Sequence, residues 1–400
     1  MAVSIFLSGC LKDVVIEKYT FYKPVYKTKA DVRASIKSAL PQPIKQPGKL
    51  FIRGNYIFLN DFEKGIHVID YSNPSAPQNI GFIAIPGNVD IAVQGNYLYA
   101  DLYTDLVTLN IADPTHVSLV KINEGVFPQK YYTTDSNNVI IDWVRVDTVV
   151  KNKESVNWNK DYVFINAAYA GPGISTASSG GTGKAGSMAR FSLMNNRLYT
   201  VSSSDINVFN VSNAASPSFV KTVDMGAWDI ETIYPFKNNL FVGSQSGMFI
   251  YSVANPDNPV KTGQFVHARA CDPVVADDNY AYVTLRSGTI CQGFTNQMDV
   301  VNVSNVSAPS LLRSYSFSNP RGLSKDGDLI FLCDGDDGLK VLNAADPNNI
   351  TQLRVIPATD TYDVIAFNSI AVMVAKDGIY MVNYSNTSDI KIASKIPVVK

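Results

Sequence analysis

Short apolar runs separated by small and polar turn residues recur along most of the chain. One of them, at residues 65–74, reads Gly-Ile-His-Val-Ile-Asp-Tyr-Ser-Asn-Pro. Val, Ile, Phe, Tyr and Thr dominate these runs, and such residues favour strands over helices. The runs are short, end in turn residues and do not show the 3.6-residue period of an amphipathic helix. The pattern predicts a protein built almost entirely from short β-strands.

The run that ends at Asp70 has six counterparts further along the chain. Their residues before the following turn are Asn110, Asn210, Ser252, Asn302, Asn343 and Asn383. Most neighbours are roughly 40 residues apart, the spacing expected when one unit is a four-stranded propeller blade. Blades packed around an axis bury the two faces that a lone sheet would expose. We therefore expect an all-β, seven-bladed β-propeller of four-stranded antiparallel blades over residues 49–400, with both terminal blades complete.

Residues 88–124 show how a unit divides into strands A to D. Strand A covers residues 89–93, B 97–101, C 106–111 and D 117–122. In a propeller the D–A connections and B–C hairpins lie on one face, and the A–B and C–D turns lie on the other, which we call the turn face. The two segments that break the repeat, 128–187 and 286–297, are a D–A connection and a B–C hairpin. We call their face the insertion face, and because loop insertions on a rigid scaffold commonly bind ligands, we expect recognition there.

The strand C sequence Ile-His-Val-Ile-Asp at residues 66–70 resembles the LVIVD repeat, which is named after this strand. The resemblance extends over nearly all of residues 50–400. It implies a propeller and a bacterial protein of a kind that is often secreted or lipid-anchored. It implies no activity, because the family has no common established one.

The N-terminal residues resemble a targeting signal. Residues 7–10, Leu-Ser-Gly-Cys, resemble the lipobox of bacterial lipoproteins. The resemblance implies a signal at residues 1–10 that ends at Cys10, which would be lipidated and become the mature N-terminus. The apolar run before Cys10 is short, and no Lys or Arg precedes it. The expected location is the cell envelope, as an outer-membrane lipoprotein, and charged residues after Cys10 weakly indicate surface exposure. The lipid would be the membrane anchor.

Residues 11–48 do not repeat, and we interpret them as a tether. Residues 31–40 have a helical pattern that stops before Pro41. Residues 14–26 form an extended segment that is an alternative source of a strand fastening the ring.

Composition adds two observations, one about the core and one about possible partners. The chain has 400 residues, 46% of them hydrophobic, which is enough for a large core. The formal net charge of −1 and the absence of a basic stripe argue against nucleic-acid binding.

Candidate ligand-binding residues cluster before strand A of several units, where the sequence varies from one unit to the next. They are Asn88, Trp228, His267, Arg269, Arg321 and Tyr362, together with Arg286 in a nearby hairpin. Arginine pairs with carboxylate or phosphate through two hydrogen bonds, and aromatic rims suit sugars or peptides. These residues predict a site for an anionic or glycan ligand. The alternative is that the arginines tie loops to acidic neighbours.

Four aspartates begin strand A in their units: Asp90, Asp229, Asp272 and Asp363. A ring of carboxylates near the axis would hold a cation, whereas the structural alternative is that each caps backbone of a neighbouring blade. Residues 334–338, Asp-Gly-Asp-Asp-Gly, resemble the start of a calcium loop, but they lack the closing Glu and fit an ordinary hairpin. No cofactor is predicted beyond this calcium alternative, and three dispersed His residues argue against zinc.

The cysteines and the Gly/Ser-rich run complete the candidates. Cys271 and Cys291 fall on the same face of one unit, so an exported protein would form a disulfide between them. Cys333 would then be a buried free thiol. Residues 171–187 are expected to be a flexible loop, because the Gly and Ser/Thr positions of a phosphate loop are not met.

These observations favour a binding module for protein, peptide or polysaccharide. The first alternative is an envelope enzyme, such as a glycan lyase or hydrolase, with His267 and Arg269 as acid/base and charge-stabilising groups and Arg286 and Arg321 orienting the substrate. The second is a structural subunit of an envelope complex.

Overall fold

The structure is a computed structural model that describes residues 16–127, 137–151, 183–227, 229–267, 273–287 and 295–399. The chain divides into two compact units, one from Met1–Lys29 and Thr133–Ala170 and the other from Ala30–Tyr132 and Gly171–Lys400. Among the described residues, no helix has the length and apolar character needed to cross a membrane.

The elements follow one another in this order. The chain starts with β1 (Ile16–Thr28), α1 (Lys29–Ala34) and β2 (Lys37–Ala39). Blade 1 contains β3 (Pro47–Arg53), β4 (Tyr56–Asp61), β5 (Gly65–Asp70) and β6 (Gln78–Ala84). Blade 2 contains β7 (Ile91–Gln94), β8 (Tyr97–Leu102), β9 (Asp105–Asn110) and β10 (Ser118–Asn123). The insertion that follows contributes β11 (Asn138–Lys151) and β12 (Gly183–Ala185).

The remaining blades have the same composition. Blade 3 contains β13 (Phe191–Met194), β14 (Arg197–Val201), β15 (Asp205–Asn210) and β16 (Ser218–Asp224). Blade 4 contains β17 (Ile230–Phe236), β18 (Asn239–Ser244), β19 (Gly247–Ser252) and β20 (Val260–Val266). Blade 5 contains β21 (Val274–Ala276), β22 (Tyr280–Leu285), β23 (Gln297–Asn302) and β24 (Ser310–Ser316). Blade 6 contains β25 (Leu323–Asp326), β26 (Leu329–Cys333), β27 (Leu339–Asn343) and β28 (Thr351–Ile356). Blade 7 contains β29 (Thr361–Phe367), β30 (Ile370–Ala375), β31 (Gly378–Asn383) and β32 (Lys391–Pro397).

Each blade pairs its four strands in the order A-B-C-D, which confirms the predicted seven-bladed, all-β propeller. A bulge interrupts the C–D pairing of all seven blades at the same place, near the start of strand D. Strand D is the outer edge of a blade, and a bulge there discourages pairing with another chain.

The turn face is built the same way in every blade. The last residue of strand C accepts a hydrogen bond from the backbone N–H two residues on, and the Asn or Asp three residues later repeats the arrangement, at 2.8–3.3 Å. These side-chain turns explain why Asn and Asp recur before and within the C–D loop. The C–D loops are therefore structural.

The third residue of strand B is at most 1% exposed in all seven blades and aromatic in six of them: Phe58, Tyr99, Tyr199, Phe241, Tyr282, Phe331 and Val372. Two of the tyrosines also tie adjacent blades together. The Tyr99 hydroxyl donates to the Ala214 carbonyl at 2.8 Å, and the Tyr199 hydroxyl donates to the Pro256 carbonyl at 2.9 Å. Each acceptor lies in the C–D loop of the next blade.

Blades 1 and 7 meet without sharing a strand. Ile52, Leu59, Val372 and Ile379 belong to one buried cluster that spans the seam between them. A backbone hydrogen bond of 2.8 Å from Val399 to Ile44 crosses the same seam. The ring therefore closes by packing and not by strand exchange. This agrees with the expectation from the sequence that both terminal blades are complete.

The N-terminal expectations need correction. Strand β1 pairs with β11 in a two-stranded ribbon, from Ile16 opposite Lys151 to Thr28 opposite Asn138, and so does not fasten the ring. The helix expected at residues 31–40 is short, because residues 37–39 extend the outer edge of blade 1 by pairing with β6.

The end of the long insertion is also not the loop that its composition predicted. Strand β12 pairs antiparallel with β3, from Gly183 opposite Arg53 to Ala185 opposite Phe51. Because strand A is the innermost strand of a blade, β12 lies on the axial side of blade 1. We call residues 183–187 the axial segment. Residues 171–182 lie outside the described residues.

Candidate functional site

The bases of both insertions lie on the insertion face, as the order of the strands requires. The N–H of Phe127, just before the first insertion, donates to the carbonyl of Thr104 in the B–C hairpin of blade 2. The second insertion leaves blade 5 after Ser287, whose backbone N–H donates to the Asn296 side chain at 2.8 Å. Both departures from the repeat therefore start from the same side of the ring.

Two arginines predicted for the rim are held close to each other. Arg286 follows β22, and Arg321 lies just before β25. The fully buried hydroxyl of Thr284 donates to the Arg321 carbonyl at 2.7 Å, and the Arg321 N–H donates to the Cys333 carbonyl at 2.8 Å. The first bond joins blade 5 to the backbone of blade 6 two residues before Arg286 in the chain, and the second lies within blade 6.

The Arg321 side chain is fixed by residues of the next D–A connection. Its Nη2 lies 2.6 Å from Asp360 Oδ1, and both side chains are mostly buried, at 13% and 22% exposure. Its guanidinium also lies over the Tyr362 ring, 5.1 Å from the centroid. Burial, followed by the Asp360 charge, raises the pKa of Tyr362. Arg321 thus behaves as the structural alternative anticipated, by tying a loop to an acidic neighbour.

Arg286 differs from Arg321. Its side chain is half-buried, and within the described part of the chain no carboxylate is in ion-pair contact with its guanidinium. Burial lowers the pKa of Arg286, the positive charge of Arg321 lowers it further, and Glu231 and Asp360 act in the opposite direction. Arg286 is therefore a partly desolvated cation beside a second cation.

Glu231 contributes an acidic group to this region. Its Oε1 accepts a hydrogen bond of 3.0 Å from the Gln245 side chain, and burial raises its pKa. The charges of Arg190 and Arg286 oppose that rise. Glu231 follows Asp229, whose half-buried backbone carbonyl accepts from the Gln245 N–H.

A buried ion pair lies on the axial side of blades 1 and 2. Lys49 Nζ is 2.6 Å from Asp90 Oδ2, and the two residues are 1% and 2% exposed. Asp90 also accepts from the backbone N–H of Arg190 at 2.8 Å, so it caps blade 3. Burial lowers the pKa of Lys49 to about 8, against the effect of the Asp90 charge. This aspartate therefore has a structural role.

Asp363 anchors the axial segment. Its Oδ1 accepts from the Ser187 backbone N–H at 3.2 Å, and the Leu323 N–H donates to the Ser187 hydroxyl at 2.5 Å. A Cβ at Gly186 would lie 1.9 Å from Asp363 Oδ2, so only glycine fits there. Burial raises the pKa of Asp363 to about 8. The segment is thus fastened to blades 6 and 7 as well as to blade 1.

The structure places the other candidates as follows. Asn88 is fully buried and bonds Asn60 and Asp101 through its side chain, so it supports the fold. His267 is half-buried near Phe265, with ring centroids 6.2 Å apart. Cys333 is a buried free thiol, as expected, and burial raises its pKa. Six candidates lie outside the described residues: Cys10, Trp228, Arg269, Cys271, Asp272 and Cys291.

The carboxylates do not assemble into a metal site among the described residues, where no group of three or more His, Cys, Asp or Glu could hold an ion. In the calcium-like hairpin, Asp334 accepts from the backbone N–H groups of Ser318 and Asn319 at 3.0 and 2.7 Å. Asp336 accepts from the Asp360 N–H at 2.9 Å. These aspartates brace the connections around them.

Sequence reasoning missed five residues that organise the region: Lys49, Ser187, Arg190, Glu231 and Asp360. Lys49 carried a usable signal, because a lysine that opens an otherwise apolar strand A needs a buried partner. Ser187 and Asp360 gave no such signal, because their partners are distant in sequence.

A family model described as LVIVD repeat matches residues 48–83, 87–123 and 268–316, which correspond to blades 1, 2 and 5. The chain therefore contains LVIVD repeats. A search of curated proteins found no match.

Several solved structures are similar in fold. The computationally designed protein Ika8 has a TM-score of 0.54 at 9% identity, covering 89% of each chain. Sqt1 of Saccharomyces cerevisiae has a TM-score of 0.53 at 9% identity, covering 93% of this chain and 88% of Sqt1. PorZ of Porphyromonas gingivalis, a bacterial surface component of the type-IX secretion system, has a TM-score of 0.51 at 13% identity, covering 91% of this chain and 40% of PorZ. At these identities the likeness concerns the fold alone.

Proposed function

We propose that this chain, a seven-bladed propeller built from LVIVD repeats, is a lipid-anchored binding module of the cell envelope. Its insertion face would hold a protein, peptide or polysaccharide ligand. A propeller of stacked repeats is suited to binding or interaction. PorZ, which is similar in fold, is a bacterial surface component and provides a precedent for this architecture at a cell surface.

One contrast carries the proposal. The C–D loops of the turn face repeat the same pair of side-chain turns in all seven blades. Both breaks in the repeat, and the partly buried charged residues Arg286, Arg321 and Glu231, belong to the opposite face. Variation concentrated on one side of a rigid scaffold is the pattern of a binding surface.

Exposed apolar side chains do not favour the alternative of a broad structural contact. Strand D carries one or two exposed large apolar residues in each of blades 2 to 7: Leu119, Val120, Phe219, Val260, Val266, Leu311, Leu353 and Ile392. Their separation gives each blade a small apolar spot. Large, obligate interfaces need a continuous apolar surface instead.

The proposal is tested on arrays of peptides and glycans probed with the full chain in mild detergent. We expect specific binding that falls at least about tenfold in an Arg286→Ala, Arg321→Lys double variant, because a ligand group loses both guanidinium partners while Asp360 keeps a positive neighbour. Arg53→Ala is the matched control, since Arg53 ends strand A on the turn face and bonds Asn96 at 2.7 Å. Equal losses in the two variants would remove the insertion face from the proposal.

The lipid anchor is tested separately. Mass spectrometry of the protein from membranes should find acyl groups on Cys10, and Cys10→Ser should release the protein into the soluble fraction. A membrane-bound Cys10→Ser variant, or a native N-terminus without acyl groups, would contradict lipid anchoring and leave the ligand-binding proposal standing.

A further inference from the structure

We infer that Arg286, supported by Arg321, binds a carboxylate of an acidic protein segment, an aspartate or glutamate side chain of the partner. This inference rests on the proposed function, because it assigns a ligand class to the same face.

The first step is that the Arg321 guanidinium is fixed before any ligand arrives, beside the strand end that carries Arg286. The Thr284 hydroxyl bonds the Arg321 carbonyl, and the Arg321 side chain is held by Asp360 and lies over Tyr362. A cationic group that is already ordered loses little conformational entropy on binding, which favours affinity.

The second step is that only one of the two arginines is in ion-pair contact with a carboxylate among the described residues. Arg321 pairs with Asp360, whereas Arg286 has no ion-pair or hydrogen-bond partner among the residues that the structure describes. Burial of a charge is costly unless the charge is paired. A ligand carboxylate beside Arg286 would supply the missing partner and relieve the repulsion from Arg321.

The third step concerns the kind of carboxylate. The molecule already contains an example of the expected contact, because Asp360 presents its carboxylate to Arg321 from the connecting segment before β29, at 2.6 Å. In addition, Arg321 covers one face of the Tyr362 ring, so that face is closed to stacking by a sugar. Both observations favour an aspartyl or glutamyl carboxylate over a uronic acid.

Arg286 is also a better position for mutation than Arg321, because its replacement removes fewer contacts that stabilise the fold. Replacement of Arg321 by an uncharged residue would leave the mostly buried Asp360 without its closest cation, with only Lys376 at 4.0 Å, and would disturb the fold. Replacement of Arg286 breaks no ion pair or side-chain hydrogen bond within the described chain. Its thermal midpoint should therefore match that of the wild-type protein.

The experiment measures binding of the full chain, in mild detergent, to an array of acidic peptides. Each peptide is paired with a counterpart in which Asp and Glu are replaced by Asn and Gln, and oligogalacturonate is the acidic-glycan arm. We expect acidic peptides to bind at least about tenfold more tightly than their amide counterparts. Arg286→Ala should remove about tenfold of that affinity, and Arg286→Lys should restore part of it, because lysine keeps the charge without the fork of donors. Arg354→Ala, on the exposed edge of blade 6, should change nothing.

The outcomes separate this inference from the proposed function. If peptides bind the insertion face but acidic and amide forms bind alike, or if Arg286→Ala binds as the wild type does, the inference is wrong and the proposed function stands. If oligogalacturonate binds more tightly than every peptide and depends on Arg286, the partner is an acidic glycan and the peptide assignment is overturned. If no peptide or glycan binds the face at all, both proposals fail.

Discussion

One carboxylate oxygen of Asp363, Oδ1, accepts a hydrogen bond from the axial segment. The other oxygen, Oδ2, has no hydrogen-bond partner among the described residues. The groups that face it are Lys49, which carries the opposite charge, and the buried thiol of Cys333. Burial is the largest influence and raises the pKa of Asp363 to about 8. Folding therefore favours the form of this carboxyl that carries a proton.

The first prediction follows from that proton. The pKa of Asp363 rises from 3.8 to about 8 on folding, so its contribution to stability is complete below pH 3.8 and is lost as the pH rises toward 8. Asp363→Asn imitates the protonated acid and cannot ionise. Urea unfolding at about pH 5 and about pH 9 should therefore show the variant gaining more than about 1 kcal/mol on the wild type over that interval. A constant difference at both pH values would contradict a raised pKa.

The second prediction concerns the tyrosines that join blades. Tyr199→Phe removes the hydroxyl that donates to the carbonyl of the half-buried Pro256 and leaves that carbonyl without this partner. The free energy of unfolding should fall by about 1 kcal/mol. Tyr97→Phe is the matched control, because the Tyr97 hydroxyl makes no hydrogen bond among the described residues. Equal effects of the two changes in urea melts would show that the inter-blade bond contributes nothing.

At the scale of elements, the blades were predictable because each one is local. Four short apolar strands, a turn after each strand and an Asn or Asp before the C–D loop can all be recognised within about 40 residues. The pairing of β12 with β3 and of β1 with β11 joins segments more than a hundred residues apart, as between Ile16 and Lys151. No local pattern encodes such partners, and the Gly-rich composition of residues 171–187 indicated a loop.

For the candidate site, too, the sequence predicted the local features but not the contacts between distant residues. Arg286, Arg321 and Tyr362 could be found because they interrupt a regular unit at its insertion-face end. Asp360, the partner of Arg321, was not found, because the choice between a structural and a ligand carboxylate depends on side-chain distances. Residue identity thus located the region, and three-dimensional packing showed which arginine has a carboxylate partner.

The third prediction concerns the axial segment. Gly186→Ala would put a Cβ 1.9 Å from Asp363 Oδ2, so the segment or the carboxylate must move, at a cost of about 1–3 kcal/mol. Gly81→Ala is the control, because its Cβ would meet other atoms only at 3.8 Å or more. Thermal unfolding should show a lower midpoint for the first variant alone. Equal midpoints would mean that the segment is not fastened by this contact.

At the scale of the whole molecule, the two faces of the propeller differ in how regularly their loops are built. The turn face closes each blade with side-chain turns that are the same around the ring. The insertion face carries the breaks in the repeat and the cations, and the axial segment returns from the long insertion to the centre of the ring. The scaffold is thus uniform where it provides stability and irregular where we propose recognition.

The most direct test of this division is hydrogen–deuterium exchange of the full chain, with and without the tightest ligand from the arrays. We predict slower exchange in the insertion-face connections around Arg286, Arg321 and Asp360 when the ligand is bound, because these backbones become covered. Exchange in the C–D loops, such as residues 73–76, should stay unchanged. Protection confined to the C–D loops would place the ligand on the turn face and contradict the account.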